Sequence, residues 1–324
     1  MNQATTRREW LQGTAAVMAG AAVGRGAAPA MAATTASAPQ YAFSYCLNTA
    51  TIQGQALSLR EQVEVAIAAG YQALEPWVRD VKAYADGGGS LEDIAKLAAD
   101  GGLQIVSGIG FPQWINDDAD VRAEALQQVR GEMQLLHRIG SRHIAAPPVG
   151  ATNGRLLELD AVAERYHALL KVGREMGVVP QVEVWGFSKN LRRLSEAIYV
   201  AAEAGHADAC VLADAYHLYK GGSAFEGVRQ LSRQATHCFH INDYPDTPPA
   251  EIGDADRIFP GDGVGPVADM VRALAQNGCR CHLSLELFNR TYWAQDALKV
   301  AKAGLAKTRQ VVEQALQDLP ASEA

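Results

Sequence analysis

The chain alternates short apolar runs with longer segments in which apolar residues recur at the three-to-four-residue spacing of an amphipathic helix. The apolar runs predict eight strands, over residues 41–47, 72–76, 103–108, 142–147, 180–185, 209–214, 236–242 and 280–287. The longer segments predict eight helices, over residues 58–69, 90–100, 117–139, 157–176, 189–205, 223–234, 265–277 and 294–316. Several of these helices run into a glycine, the residue that most readily adopts the left-handed conformation after a last helical turn: Gly70, Gly140, Gly177, Gly205 and Gly278.

Eight strand–helix units in succession are the pattern of a (β/α)8 TIM barrel, which typically has about 250 residues. We therefore predict a single-domain α/β fold with the barrel over residues 41–317 and a polar tail over 318–324. An open doubly wound sheet is the alternative, but such sheets usually carry a glycine-rich phosphate loop after the first strand. Here Asn48-Thr49-Ala50-Thr51-Ile52 follows that strand, which favours the barrel.

The N-terminal segment has the three parts of an export signal. Thr6-Arg7-Arg8-Glu9-Trp10-Leu11 looks like a twin-arginine motif, an apolar stretch follows over residues 13–24, and Ala30-Met31-Ala32 ends the segment. We predict a twin-arginine (Tat) signal peptide over 1–32, a linker over 33–40, and a periplasmic or exported mature protein that the Tat machinery carries. The apolar stretch is too short for a permanent membrane span, which needs about 20 residues.

Composition narrows the function further. The 324 residues carry a formal net charge of −7, which argues against a nucleic-acid partner because phosphate binding needs a basic surface. The five cysteines are an odd number and lie in or beside the apolar runs, so we expect most of them to be buried thiols. The sequence does not decide whether the chain forms a homo-oligomer.

Active sites of TIM barrels lie at the C-terminal ends of the strands. Four successive predicted strands each deliver one group able to bind a metal there: Glu183, Asp214, His240 and Glu286. Three carboxylates and an imidazole suit one divalent cation; Mn²⁺ is favoured, with Mg²⁺, Co²⁺ and Zn²⁺ as alternatives. Other polar and aromatic side chains near strand ends are candidates for substrate binding: Glu75, Trp114, Trp185, His217, Asp243 and Arg257.

These motifs resemble the sugar phosphate isomerases/epimerases, a family of xylose-isomerase-like barrels that includes ketose 3-epimerases, hydroxypyruvate isomerase and inosose dehydratase. The resemblance rests on Val182-Glu183-Val184-Trp185, Asp214-Ala215-Tyr216-His217, His240-Ile241-Asn242-Asp243, Arg257-Ile258-Phe259-Pro260-Gly261-Asp262-Gly263 and Ser284-Leu285-Glu286. It implies that Glu183, Asp214, His240 and Glu286 hold one divalent metal and that His217 contacts the substrate, a small carbohydrate.

The implied reaction is proton transfer next to a carbonyl through a metal-stabilised enediolate, with Glu183 and Glu286 as catalytic acid and base. An isomerase or epimerase of a sugar or related polyol ketone is the favoured function. A lyase or dehydratase of keto-sugars or 3-keto-glycosides is the first alternative, and a sugar-binding module without turnover is the second. Apurinic endonucleases with three zinc ions share this kind of barrel but need additional histidine ligands. No histidine occurs before His137 or between His240 and His282, which argues against a nuclease.

Overall fold

Eight parallel strands form one curled sheet, which confirms the predicted TIM barrel. The computed structural model describes residues 43–317 and residue 319. The strands are β1 Ser44–Asn48, β2 Ala73–Glu75, β3 Gln104–Ile105, β4 His143–Ala146, β5 Val179–Glu183, β6 Val211–Asp214, β7 Cys238–Ile241 and β8 His282–Leu285. Their order in the sheet is β3-β2-β1-β8-β7-β6-β5-β4.

The two outer strands of that order, β3 and β4, meet through Gly108. Its N–H donates to the carbonyl of His143 at 3.1 Å, and its own carbonyl accepts from the N–H of Ala145 at 2.9 Å. A side chain at this position would collide with Leu136, because a Cβ on Gly108 would lie 2.5 Å from the nearest atom of that residue. Gly108 therefore links the two edges of the sheet through its backbone, and its missing side chain leaves room for Leu136.

Ten helices lie in the described residues: α1 Leu59–Ala69, α2 Val78–Asp86, α3 Leu91–Asp100, α4 Ala119–Arg138, α5 Leu159–Met176, α6 Leu194–Glu203, α7 Ala215–Gly221, α8 Val267–Gln276, α9 Arg290–Trp293 and α10 Ala297–Leu316. The predicted glycine stops are confirmed, since all five adopt positive φ; Gly70 and Gly177, for example, directly cap α1 and α5. None of the described helices is long and apolar enough to cross a membrane.

Two predicted helices need correction. Residues 223–234 contain only a short 3-10 helix, Phe225–Gln230, and the chain is extended again at Leu231. The segment 189–205 becomes helical only at Leu194, because Leu191 has a left-handed φ of 55° that a helix cannot include.

Three helices escaped the sequence pattern: α2, α7 and α9. Helix α2 buries only Val78 and Val81, so its apolar stripe is thin. Helix α7 is buried around most of its circumference and therefore shows no amphipathic period, while α9 has only four residues.

The core has two parts, one inside the barrel and one between the strands and the helices. Small and medium side chains fill the inside, among them Cys46, Ala73, Ala145, Leu212 and Cys238. All five cysteines are free and buried, which confirms the expectation of buried thiols. The predicted signal peptide and linker lie outside the described residues, as does the predicted tail apart from Leu319.

Two histidines at the beginning of their strands predict a pH dependence of stability. The rings of His143 and His237 stack with their centroids 4.3 Å apart. Burial, followed by the charge of His237, lowers the pKa of His143 to about 4. Because the unfolded chain, with a histidine pKa of about 6.5, then binds the proton more tightly, stability should fall as the pH drops from about 6.5 to about 4, by up to about 3 kcal/mol.

His143→Phe should flatten this part of the curve, since it keeps an aromatic ring against His237 but cannot take up a proton. Urea unfolding between pH 4 and 7 measures the effect, with the exposed His137→Phe as the matched control. An equal slope in wild type and His143→Phe would contradict the assignment.

Candidate metal centre

The period of the strands brings the polar residues to one end of the barrel. Successive inward positions along a strand are two residues apart. On β6, β7 and β8 the inward pairs are Leu212 and Asp214, Cys238 and His240, and Ser284 and Glu286. In each pair the first residue lies inside the barrel and the second lies at or just past the C-terminal end of the strand. The register places Asp214 beside His240 and His240 beside Ser284.

Asp214, His240 and Glu286 form a buried group that could hold a metal ion. One ligand atom from each lies within 4.8 Å of the other two. The Nδ1 of His240 lies 3.3 Å from Glu286 Oε2 and 3.7 Å from Asp214 Oδ2, and it has no hydrogen-bond partner among the described residues. A ring nitrogen without a partner that faces two carboxylate oxygens fits a divalent cation.

The other nitrogen of His240 is held from below by Glu75. Nε2 lies 2.9 Å from Glu75 Oε2, which also accepts from Asn48 Nδ2 at 3.0 Å and from Ser284 Oγ at 2.7 Å. A carboxylate that accepts the second N–H of a metal-binding histidine fixes its orientation. Glu75 is completely buried, so the predicted contact with the substrate is corrected to a role in orienting His240.

The charges of this group shift its pKa values strongly. Burial opposes ionisation of Glu75 and Asp214, but charged neighbours outweigh it: His240 lowers the pKa of Glu75 to about 2, and the guanidinium of Arg257 holds the pKa of Asp214 well below its usual range. Burial also disfavours the charged form of His240, yet Glu286 and Glu75 raise its pKa well above the usual value.

Glu183 lies at the wall of the same cavity, outside the closely spaced group of three. It ends β5, and burial raises its pKa to about 8, with Glu286 adding to the effect and His240 opposing it. Glu183 and Glu286 both line the cavity, and β6 and β7 separate their strands in the sheet. The predicted role of Glu183 as a fourth ligand stays a prediction.

Arg257 reaches the centre from the loop after β7. Its Nη1 donates to Asp214 Oδ2 at 2.9 Å and to Glu286 Oε2 at 2.8 Å, and its Nη2 contacts His217 Nε2 at 3.1 Å. The side chain is almost completely buried. Burial and the adjacent guanidinium lower the pKa of His217 to about 4, so this imidazole is neutral and accepts the hydrogen bond.

The cavity above the centre has a volume of about 210 Å³ and aromatic walls. Trp185 lies in this wall, as predicted, and its ring stacks on that of Phe187 with the ring centroids 5.1 Å apart. The other aromatic members of the wall and one acid are not among the residues predicted from the sequence: Trp77, Phe111, Phe187, Phe288 and Asp254. Most of these aromatics follow the end of a strand by two to four residues, and that spacing is the signal that could have revealed them.

Two predicted substrate contacts lie elsewhere. Trp114 is buried in the core beside Tyr166, and its Nε1 donates to the carbonyl of Pro147 at 2.8 Å, so its predicted stacking on a sugar is corrected to core packing. Asp243 accepts four backbone N–H groups, from Tyr244, Gly261, Gly263 and Gly265, and thereby shapes the loop before Pro266. A carboxylate occupied in this way organises the loop instead of binding substrate.

Asn48, which the sequence analysis also missed, links the centre to its aromatic wall. Its Nδ2 donates to Glu75 and to Glu286 Oε1, each at 3.0 Å, while its Oδ1 accepts from Trp77 Nε1 at 3.2 Å. A neutral amide thus separates two carboxylates. Because buried polar groups without partners are costly, we expect Asn48→Leu to lower the free energy of unfolding by at least about 2 kcal/mol. Urea unfolding, with the exposed Asn153→Leu as the control, measures this loss, and equal stability of both variants would contradict it.

Comparison with known proteins agrees with this fold. The model of the xylose isomerase-like TIM barrel family matches residues 63–311, so the chain belongs to that family. Among curated proteins, an inosose isomerase of Bacillus velezensis is 23% identical over 264 residues, which are 79% of this chain and 94% of the relative. A 3-dehydroshikimate dehydratase of Pseudomonas aeruginosa is 24% identical over 257 residues, 76% of this chain and 39% of the relative.

Solved structures share the fold. The crystal structure of the IOLI protein with a binding zinc atom has a TM-score of 0.79 at 21% identity and covers 84% of this chain and 99% of its own. The structure of an L-ribulose 3-epimerase has a TM-score of 0.68 at 18% identity and covers 85% of this chain and 96% of its own.

Proposed function

We propose that this protein is a divalent-metal-dependent isomerase or epimerase that moves a proton next to the carbonyl of a sugar or a related polyol ketone. The observation that carries the proposal is the buried group of Asp214, His240 and Glu286 beneath a cavity of carboxylates and aromatic rings. The inosose isomerase and epimerase relatives support the same class of reaction.

A cation held by this group, with Glu183 as the fourth ligand and Mn²⁺ as the favoured ion, would stabilise negative charge at the reacting carbonyl. Glu183 and Glu286 enter the cavity from strands that are not neighbours. One carboxyl can therefore take a proton from one face of the substrate while the other returns a proton to the opposite face. Arg257 and His217 offer polar contacts to substrate oxygens, and the aromatic walls pack on the apolar faces of the ring and exclude water.

Elimination is the second candidate reaction. The similarity to a 3-dehydroshikimate dehydratase favours it, since the same proton abstraction next to a carbonyl can expel a leaving group. A screen in D₂O separates the possibilities. Ketoses, inososes and 3-keto-glycosides are incubated with protein loaded in turn with Mn²⁺, Mg²⁺, Co²⁺ and Zn²⁺, and the products are analysed by proton NMR after metal removal.

We expect deuterium to enter at the carbon next to the carbonyl without loss of a group. Product lacking the leaving group would make the protein a lyase instead. Binding without any exchange would contradict both reactions and leave the sugar-binding module.

We also propose that the mature protein works outside the cytoplasm. The support is the twin-arginine pattern at Arg7 and Arg8. Replacing both arginines by lysine should retain the precursor in the cytoplasm, whereas Arg25→Lys should not. Cell fractionation and immunoblotting measure the distribution, and equal export of the double variant and the wild type would refute the signal.

A further inference from the structure

A groove on the outer side of the aromatic wall has no part in the chemistry described so far. It lies between α2 and α4, beside the loop that follows β3, and has a volume of about 530 Å³. We name it the α2–α4 groove; Val78, Ile109, Phe111, Gly131, Glu132 and Leu135 are among the residues that line it.

The α2–α4 groove lies directly beside the cavity above the metal centre. Ile109 and Phe111 line both spaces and form their common wall. The ring of Phe111 is 36% exposed and contacts Trp77 at a centroid distance of 5.1 Å. Arg79, at the edge of the groove, lies over the ring of Trp77, with its guanidinium carbon 4.2 Å from the ring centre. A substituent that extends from the cavity over the exposed edge of Phe111 would therefore reach the groove.

The size of the two spaces indicates an occupant in two parts. The catalytic cavity alone, at about 210 Å³, is smaller than the ~300–1,000 Å³ of ordinary small-molecule sites. The groove lies within that range. The cavity thus provides space for a single polyol ring over the metal centre, and the larger space lies where a substituent of that ring would extend.

The chemistry of the groove selects a neutral, apolar substituent. Val78, Ile109 and Leu135 provide apolar lining, while the carboxyl group on the α4 side, that of Glu132, accepts from Gln128. The cations at its edge are already paired, Arg79 with Asp80 and Lys82 with Asp86. An anionic or cationic substituent would compete with these pairs, whereas an apolar ring gains by leaving water.

We infer that the α2–α4 groove binds an apolar, ring-sized substituent of the substrate, so that the substrate is a keto-sugar linked to such a group, as in a 3-keto-glycoside of an aromatic alcohol, and not a free sugar. This inference rests on the proposed function for the identity of the polyol ring. The test measures binding instead of turnover, so a failure of this inference can be distinguished from a failure of the proposed function.

Gly131 provides the means to close the groove. It lies exposed on α4, and a Cβ at this position would have nothing within 4 Å. Because Gly131 lines the groove and a Cβ has room there, Gly131→Trp should place its ring in the groove, and it replaces a residue that weakens helices. Ala123→Trp, exposed on the same helix but outside the groove, is the matched control.

The probes are phenyl β-D-glucopyranoside and methyl β-D-glucopyranoside, which carry no carbonyl to react, titrated calorimetrically into metal-loaded protein. We expect the phenyl glucoside to bind wild type and Ala123→Trp at least tenfold more tightly than the methyl glucoside. Gly131→Trp should abolish this preference and leave the affinity for the methyl glucoside unchanged. Equal affinities in the wild type, binding of neither glucoside, or a preference that survives in Gly131→Trp would overturn the inference.

Discussion

Replacing Glu286 by glutamine should lower the turnover of the substrate by a factor of about 10²–10⁴, the usual contribution of a general acid or base. The shape of the side chain is retained, but the new amide faces donors on both sides. Glu286 Oε1 accepts from Asn48 and Oε2 accepts from Arg257, at 3.0 and 2.8 Å. Whichever way the amide points, its NH₂ group therefore meets another donor.

The metal content of Glu286→Gln must be measured together with its activity, because the same carboxylate belongs to the group of three residues that could hold a metal ion. Activity lost at full metal occupancy indicates the proton-transfer role, whereas activity lost together with the metal indicates the ligand role. Glu251 is exposed in the loop after β7, so Glu251→Gln serves as the control for the effect of replacing a glutamate by glutamine outside the site. Turnover above about a tenth of the wild-type value would show that Glu286 moves no proton.

The fold could be predicted from the sequence because each strand is an apolar run and each main helix has its own apolar stripe. The exceptions have specific physical causes. Helix α7 is buried nearly all round, so it lacks the polar face that marks a helix in a sequence. The start of α6 depends on one left-handed residue, Leu191, whose conformation is set by tertiary contacts and not by its type.

The sequence could predict that Asp214 and His240 come together, because each interrupts an apolar strand near its end, while their role as metal ligands stays a prediction. The sequence could not show how deep inside the barrel each strand-end residue lies. Glu75 and Glu183 both end strands, yet Glu75 lies beneath His240 while Glu183 reaches the cavity. The sequence also does not show which partner satisfies a buried group, and for that reason Asn48, whose amide joins two carboxylates and an indole, remained unnoticed.

His240→Gln should abolish tight metal binding. The Nδ1 of His240 faces Glu286 and Asp214, and Glu75 fixes the ring through Nε2. Loss of a direct ligand should weaken binding at least about 100-fold, and Glu75→Gln, which removes only the orienting charge, should weaken it about 10–100-fold. Calorimetric titration with Zn²⁺ and elemental analysis measure affinity and stoichiometry, with an expected value of one ion per wild-type chain.

The matched control is His282→Gln, because His282 is also a barrel histidine but begins β8, at the far end of that strand from Glu286. It should bind one ion with wild-type affinity. Metal should also raise the thermal midpoint of the wild type and of this control, since a ligand at 100 times its Kd adds about 2.7 kcal/mol to the folded state. Wild-type affinity in His240→Gln would place the ion elsewhere and remove the structural basis of the proposed reaction. The negative charges of Asp214 and Glu286 would then be compensated by the ion pairs with Arg257 and not by a metal ion.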